Sequence, residues 1–206
     1  MYNLPQTKFE DRGAVYADVI ASYNDKNRPI RILEIGVFRA ALIQGLYKKC
    51  PDDIQSYTGV DPYMGDERDP YLHLYWSGDQ SVAEATYQES QNIFEQYGGT
   101  LHRKTSDQFF ESNQDMFDVV IVDGDHSFDQ TIKDLKNALA ALNPGGLLVC
   151  DDYGNSDTPA VTKAVNAFIN QTPQFWDDWG YRPLWFQNKS KHIPVQLSIV
   201  YWKKRK

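Results

Sequence analysis

Short apolar segments typical of β-strands alternate with amphipathic helix patterns along almost the whole of this 206-residue chain. The first five strand-like segments are 30–35, 57–61, 100–104, 117–122 and 147–150. Strands that are separated by helices pair in parallel, because the helical crossover returns the chain to the same end of the sheet. Two further segments, 181–187 and 195–202, have no helix between them and should pair antiparallel. The pattern predicts an α/β fold: a doubly wound, mostly parallel seven-stranded sheet with helices on both faces and a C-terminal antiparallel hairpin, in a single domain over 1–206.

Charge and cysteine content narrow the function classes. The chain has 21 Lys and Arg against 28 Asp and Glu, a formal net charge of −7, which disfavours non-specific binding to nucleic acid or anionic membranes. The basic run at 203–206 is predicted to be a solvated tail. Cys50 and Cys150 fit no metal-finger or CxxC spacing, and neither a signal peptide nor a membrane-spanning segment is evident. We therefore expect a cytoplasmic protein with no nucleic-acid or membrane partner.

Nearly every predicted strand ends in a polar or acidic residue. The strand-end residues are Glu34 and Gly36, Asp61, Ser106, Asp123, Asp151 and Asp152. In a doubly wound sheet, ligands bind at the carboxyl ends of the strands. Asp and Ser also cap the helices that follow such strands, so each residue has a purely structural interpretation. The number of polar strand ends nevertheless favours a ligand site.

The turn after the first strand argues against a dinucleotide. Gly36 permits a tight turn, but Phe38 and Ala41 occupy the second and third glycine positions of a GxGxxG fingerprint, and a bulky ring there blocks the approach of a pyrophosphate. Asp61 stands where an acid can bind two ribose hydroxyls of an adenosine-type ligand. An Asp-Pro pair is also a common turn opener, so this signal is weak alone.

Three carboxylates at neighbouring strand ends are the strongest constellation. If strands 117–122 and 147–150 are adjacent, Asp123, Asp151 and Asp152 could converge on one cation, because neighbouring strands lie about 4.8 Å apart. Clustered carboxylates repel one another unless a cation lies among them. All-oxygen ligation suits Mg²⁺ better than Zn²⁺. The alternative is two separate helix caps and a turn.

Two aromatic-rich segments, 61–79 and 172–190, are predicted to be long loops. Such loops could line a binding site, or they could anchor themselves on the core or pack in a homo-oligomer. The helix after Ser127 should open with a capping box made with Gln130. Its predicted apolar stripe is Phe128, Ile132, Leu135, Leu139 and Leu142.

Taken together, these segments resemble class I S-adenosylmethionine-dependent methyltransferases. LEIGVFRA (33–40) resembles their first motif, Val60-Asp61 their ribose-binding acid, and NPGGLLVCDD (143–152) a later strand. The resemblance covers about 30–202 and is greatest to the metal-dependent macrocin O-methyltransferase type, with catechol O-methyltransferases as more distant relatives. Its most specific part is DGDH (123–126) with the Asp151-Asp152 pair. Ala40 departs from the family's E-x-G-x-x-x-G pattern, and the long N-terminal extension of several sugar-modifying relatives is missing.

The resemblance implies roles for individual residues. Asp123, Asp151 and Asp152 would hold Mg²⁺, and S-adenosylmethionine would contact Glu34, Gly36, Asp61, Ser106 and Asp123. His126 would be the general base, although some relatives use the position of Asp125. The implied reaction is O-methyl transfer to a hydroxyl of a small molecule such as a sugar, phenol or natural product. The alternatives are an oxidoreductase or hydroxylase-like enzyme on the same fold and a non-catalytic S-adenosylmethionine-binding module.

Overall fold

The computed structural model describes residues 12–23, 28–64, 76–188 and 193–206. Helices and strands alternate through these ranges as the sequence predicts. The helices are α1 (Arg12–Tyr23), α2 (Ala41–Lys49), α3 (Gln80–Gln96), α4 (Ser106–Ser112), α5 (Phe128–Ala141) and α6 (Pro159–Gln171). The strands are β1 (Ile30–Ile35), β2 (Ile54–Val60), β3 (Thr100–His102), β4 (Phe117–Val122), β5 (Leu142–Cys150), β6 (Trp176–Asn188) and β7 (Ile193–Lys204). Within the described ranges, no helix combines the length and apolar character needed to cross a bilayer.

The strands form one sheet in the order β3-β2-β1-β4-β5-β7-β6. Pairings among β1 to β5 are all parallel, and β7 runs antiparallel to both β5 and β6. The strand order reverses between β1 and β4, which is the switch point where a doubly wound sheet opens a crevice. The predicted fold class is confirmed, including the terminal hairpin.

Alternate residues of each strand face opposite layers of helices, because successive side chains of a strand point to opposite faces. In β4, Val119 and Ile121 pack with α1, α2 and the end of α3, whereas Val120 and Val122 pack with α4, α5 and α6. All six residues of β4 are buried. The two apolar clusters therefore fix the central strands from both sides, and leave their carboxyl ends to form the site.

Helix α1 packs closely on α2 through two glycines. A Cβ built on Gly13 would lie 2.4 Å from the Cα of Gly45, so neither position accommodates a side chain without movement. The contact fixes the start of α1, where Arg12 is the first described residue. Buried Tyr16, one turn later, belongs to the cluster beneath the two helices.

Several local expectations are corrected. The predicted loop at 172–190 is wrong for 173–188, which form a short 3₁₀ turn and then β6, a strand longer than the predicted 181–187. The first aromatic segment is described only in part: Tyr63 and Trp76 are buried together with Ala83, and 65–75 lie outside the described residues. The basic run is not a free tail either, since Lys204 Nζ donates to the carbonyls of Leu139 at 3.0 Å and Leu142 at 2.6 Å.

The caps of α4 and α5, and one residue of the predicted apolar stripe of α5, also differ from expectation. Thr105, not Ser106, caps α4 in a complete capping box with Gln108. Ser127 does cap α5, but the Gln130 side chain points to other partners. Phe128 is 41% exposed, while the buried face of α5 consists of Thr131, Asp134, Leu135, Ala138 and Ala141. The rest of the predicted stripe is confirmed, since Leu135 and Leu142 are buried and Ile132 and Leu139 pack against the same cluster. The buried face also includes an acid, Asp134.

Candidate active site

A cavity of about 460 Å³ opens at the carboxyl ends of β1, β2, β4 and β5. It contains every residue that the sequence predicts for the site: Glu34, Gly36, Asp61, Ser106, Asp123, Asp125, His126, Asp151 and Asp152. Its volume lies in the range of about 300–1,000 Å³ that is typical of small-molecule sites.

Backbone hydrogen bonds place the strand-end residues in one row. Each residue that follows a strand donates its N–H to the last carbonyl of the neighbouring strand: Asp61 to His102, Gly36 to Val60, Asp123 to Ile35 and Asp151 to Val122, at 2.8–3.1 Å. The sheet ladder therefore extends one residue beyond the strands. This extension explains why residues from four separate segments meet along one edge.

The turn after β1 requires glycine at position 36 because of the surrounding protein backbone. Gly36 has φ +87°, and a Cβ there would lie 2.0 Å from the carbonyl oxygen of Asp123. Two following residues without glycine's freedom, Phe38 and Ala40, also have positive φ, at 51° and 53°. Replacement of the expected glycine by Ala40 is therefore accommodated with a left-handed backbone, a conformation that costs an L-residue roughly 1–2 kcal/mol.

Asp61 supports this turn from β2. Its Oδ2 accepts the N–H groups of Val37 at 3.0 Å and Phe38 at 2.9 Å, and its Oδ1 accepts that of Tyr63 at 3.0 Å. An ionised carboxylate accepts about four hydrogen bonds, so these three leave at most one for a ligand. The predicted ribose acid is in place, but its first role is to order the loop beside the cavity.

Glu34 and Ser106 lie in the walls of the cavity. Glu34 is 2% exposed and accepts a hydrogen bond from Tyr57 Oη at 2.9 Å. Burial is the main reason that its pKa rises to about 8, although this hydrogen bond opposes the shift. Ser106 Oγ accepts from Gln130 Nε2 at 3.1 Å. Both side chains therefore have protein partners that hold them in fixed positions.

The acidic cluster consists of Asp123, Asp151 and Asp152. Arg12 Nη2 contacts Oδ2 of both Asp123 and Asp151, so a guanidinium lies between the ends of β4 and β5. Asp151 is 2% exposed, and its Oδ1 accepts the N–H of Asp152 at 2.7 Å. Burial, with the charges of Asp151 and Asp152, raises the pKa of Asp123 to about 7 although Arg12 lowers it. All three acids line the cavity, and the Arg12 guanidinium, which the sequence does not predict there, contacts two of them.

His126 pairs with the third acid. Its Nε2 lies 3.1 Å from Asp152 Oδ2. Burial alone would lower the pKa of His126, but the hydrogen bond and charge of Asp152 raise it above its usual value. Asp125 is engaged differently, because its Oδ1 accepts the N–H of Ser127 at 2.6 Å and so closes the turn before α5.

The donor atoms of this region fit a divalent cation. Asp123, His126 and Asp152 each offer one ligand atom, and the three atoms lie within 4.8 Å of one another. The carboxylate oxygens suit Mg²⁺ or Mn²⁺. Asp151 lies alongside, but its oxygens already bind Arg12 and the Asp152 amide. A buried Tyr16 hydroxyl next to Arg12 has no hydrogen-bond partner among the described residues.

The sequence comparison identifies the family of the chain. A family described as "Methyltransferase domain" matches residues 33–153, which run from β1 to the residue after Asp152. The chain belongs to this family. The predicted enzyme class is therefore confirmed for this methyltransferase domain, while the narrower macrocin-type assignment stays a prediction. No curated protein matches the sequence.

Solved methyltransferases share the fold at low sequence identity. The O-methyltransferase TomG of Streptomyces achromogenes, in complex with SAM, is 16% identical, with a TM-score of 0.57 over 96% of this chain and 82% of that one. An O-methyltransferase of Bacillus cereus, in complex with SAH, is 13% identical, with a TM-score of 0.56 over 98% and 85%. The N-methyltransferase NodS of Bradyrhizobium japonicum, also with SAH, is 14% identical, with a TM-score of 0.60 over 100% and 92%.

Three residues that the sequence analysis missed line the cavity of this methyltransferase domain: Arg12, Gln130 and Asp134. Asp134 is 1% exposed, and burial raises its pKa to about 6 although hydrogen bonds from Ser106 and Gln130 oppose the shift. An acid among the apolar positions of an amphipathic helix was a usable signal for Asp134. No local pattern indicates Arg12, because its partners are more than 100 residues away.

Proposed function

We propose that this methyltransferase domain transfers a methyl group from S-adenosylmethionine to a hydroxyl oxygen of a small molecule, with assistance from a divalent cation. One observation carries the proposal: the cavity brings a ribose-type acid, an acidic cluster and a paired histidine to the same edge of the sheet. SAM and SAH complexes of proteins with this fold support the choice of cofactor.

The cofactor would lie across the turn after β1. The N–H groups of Val37 and Phe38 are held by Asp61, which would also contact a ribose hydroxyl of the cofactor. Ser106, on the far wall, would contact the adenine end. The sulfonium would then lie towards Asp123, on the side of β4, because that residue follows the strand next to β1. Negative charge there favours a positively charged cofactor.

Asp123 and Asp152 would hold the cation, with Asp151 as the further predicted ligand. The cation supplies Lewis-acid polarisation of the acceptor hydroxyl and thereby lowers the pKa of that hydroxyl. Mg²⁺ is the expected ion because the carboxylates are hard oxygen donors. Arg12 lies beside this site and contacts two of the same carboxylates, those of Asp123 and Asp151.

His126 would accept the proton of the hydroxyl. Its Nε2 lies 3.1 Å from Asp152 Oδ2, so this pairing would assign Nε2–H as the donor and make Nδ1 the basic nitrogen of the ring. Asp152 therefore orients the ring and stabilises the imidazolium that forms. Asp125 is a poorer candidate because one of its oxygens already closes a turn. The deprotonated oxygen would attack the methyl carbon in line with its bond to sulfur, a geometry that the cavity walls impose.

The proposal is tested with purified protein, methyl-labelled S-adenosylmethionine and acceptors that carry vicinal hydroxyls as well as an amine, such as a catecholamine and an amino sugar. We expect calorimetric binding of S-adenosylmethionine, label on oxygen, loss of turnover with EDTA and recovery with Mg²⁺. Label only on nitrogen would contradict O-methyl transfer. Binding of NADH instead of S-adenosylmethionine would favour the oxidoreductase alternative, and cofactor binding without turnover on any acceptor would favour a binding module.

A further inference from the structure

Arg12 reaches the acidic cluster from outside the sheet. It lies at the start of α1, and its guanidinium contacts one oxygen on each of Asp123 and Asp151. The arginine side chain is 46% exposed, whereas those of the two acids are 18% and 2% exposed. The close contact of Gly13 with Gly45 holds the adjacent turn of α1 on α2. The guanidinium is thus delivered to the cluster by a packed helix, and it is not a side chain on a free surface.

The charged side chains of the cluster form two groups. Asp152 is paired with His126, while Asp123 and Asp151 share the single charge of Arg12. Partly buried carboxylates are costly without a counter-cation. Arg12 therefore supplies the positive charge between Asp123 and Asp151 that a metal ion is expected to supply.

The guanidinium would need the same oxygen atoms as a metal ion held by the predicted ligands Asp123 and Asp151. Arg12 contacts Oδ2 of Asp123 and Oδ2 of Asp151, which face each other across the ends of β4 and β5. A cation held by both of these acids would replace the guanidinium nitrogen between them. Two positive groups would also repel each other strongly at such a separation in a partly buried site. Occupation by one therefore excludes the other.

We propose that Arg12 is an internal counter-ion that competes with a divalent cation for Asp123 and Asp151, so that binding of the cation releases the start of α1 from the site. This inference rests on the cation-binding part of the proposed function. It adds that the cation replaces the Arg12 guanidinium at the two carboxylates, and that this exchange changes how the start of α1 is held. Tyr16, whose ring lies 5.7 Å from the Arg12 guanidinium carbon, is buried beside the released group and has an unsatisfied hydroxyl available to it or to Asp151.

The experiment measures Mg²⁺ affinity by calorimetry on the chelator-treated full chain. Arg12→Met keeps an unbranched stem that can pack against α1 and α2 and removes the charge, whereas Arg12→Lys keeps the charge. Arg31→Met is the matched control: it removes an equal charge from an ion pair with Asp115, at 3.2 Å, at the opposite end of β1. We expect Arg12→Met to bind Mg²⁺ at least about tenfold more tightly, because a competing ion pair is lost. Arg12→Lys and Arg31→Met should remain near the wild type.

Hydrogen exchange gives a second measurement that does not depend on catalysis. Amides of α1 should exchange faster when Mg²⁺ is added to the wild type, and Arg12→Met should show fast exchange with or without Mg²⁺. Equal or weaker Mg²⁺ binding by Arg12→Met overturns the competition, as does an absence of Mg²⁺ binding in both proteins. S-adenosylmethionine binding, measured on the same samples, reports separately on the proposed methyltransferase function.

Discussion

His126 and Asp152 face each other across the ends of β4 and β5, with Nε2 3.1 Å from Oδ2. Both residues lie beyond the ends of the strands. The sheet continues to just before Asp152, because the N–H of Asp151 donates to the carbonyl of Val122 at 3.0 Å. The pairing lowers the pKa of Asp152 despite its burial and raises that of His126. The pairing therefore fixes the orientation of the imidazole ring at the edge of the cavity.

Replacement of His126 tests its assignment as the base. His126→Ala should lower turnover by roughly 10²–10⁴, the usual contribution of a general base, with S-adenosylmethionine affinity nearly unchanged. The acidic limb of the pH–rate profile should disappear. Asp125→Asn is the matched comparison, because Asp125 lies in the same turn and should affect turnover little. A larger loss in Asp125→Asn than in His126→Ala would exchange the two roles.

Replacement of Asp61 should affect both the turn and the cofactor. Asp61→Ala removes the acceptor for three backbone N–H groups and should weaken S-adenosylmethionine binding by about 1.5–3 kcal/mol, the value of charge-assisted hydrogen bonds. Thermal unfolding measured beside calorimetry separates the two effects. Asp52→Ala, in the exposed turn before β2, is the control. Unchanged affinity in a folded Asp61→Ala protein would place the cofactor elsewhere.

The buried carboxyl of Glu34 should make stability depend on pH. Its pKa is about 8 in the folded protein against an ordinary value of 4.5, so the folded state retains a proton that the unfolded state releases. Stability should therefore be greatest below about pH 4.5 for this group and fall as pH rises towards 8. Glu34→Gln should flatten that fall, which is on the order of 3–4 kcal/mol between pH 5 and pH 8.

Urea unfolding at several pH values measures this effect, with Glu84→Gln on the exposed face of α3 as the control. Glu84→Gln should leave the pH dependence of stability in this window unchanged. If Glu34→Gln and the wild type lose stability in parallel from pH 5 to pH 8, Glu34 is already ionised in the folded protein.

Gly36 should tolerate substitution far less than a glycine with a similar backbone and open surroundings. Gly98 has φ +69° and no atom within 4 Å of a built Cβ, whereas Gly36 has φ +87° and would place its Cβ 2.0 Å from the Asp123 carbonyl oxygen. Gly98→Ala should cost about 1–2 kcal/mol for the left-handed backbone alone. Gly36→Ala should cost at least about 3 kcal/mol, because the clash is with backbone. Equal losses in urea unfolding would show that the turn can move away from Asp123.

The sequence predicts the sheet and the position of the site because both follow from local periodicity. Strand patterns such as Phe117–Val122 are continuous and apolar, and parallel strands bring their carboxyl ends to one edge whatever the details of packing. Asp61, Asp123 and Asp152 could therefore be placed together without a structure. Their roles as a set of ligands remain predictions.

The parts that sequence reasoning missed depend on tertiary contacts. The partners of Arg12 lie on β4 and β5, and nothing in the first helix pattern indicates them. Gln130 matches the capping-box spacing, but its amide instead bonds Ser106 and Asp134 across the cavity wall. The buried face of α5 is also broader than predicted, because Thr131 and Asp134 face inward beside the predicted residues, while Phe128 is exposed.

The position of β7 has a consequence for the order in which the protein can fold. This strand follows β6 in the chain, yet it lies between β5 and β6, and β6 pairs with no other described strand. During synthesis, β6 therefore emerges before the strand that joins it to the sheet. We expect the edge from β3 to β5 to gain amide protection first in pulse-labelling, with β6 and β7 protected together as one later unit. Earlier protection of β6 alone would contradict this order.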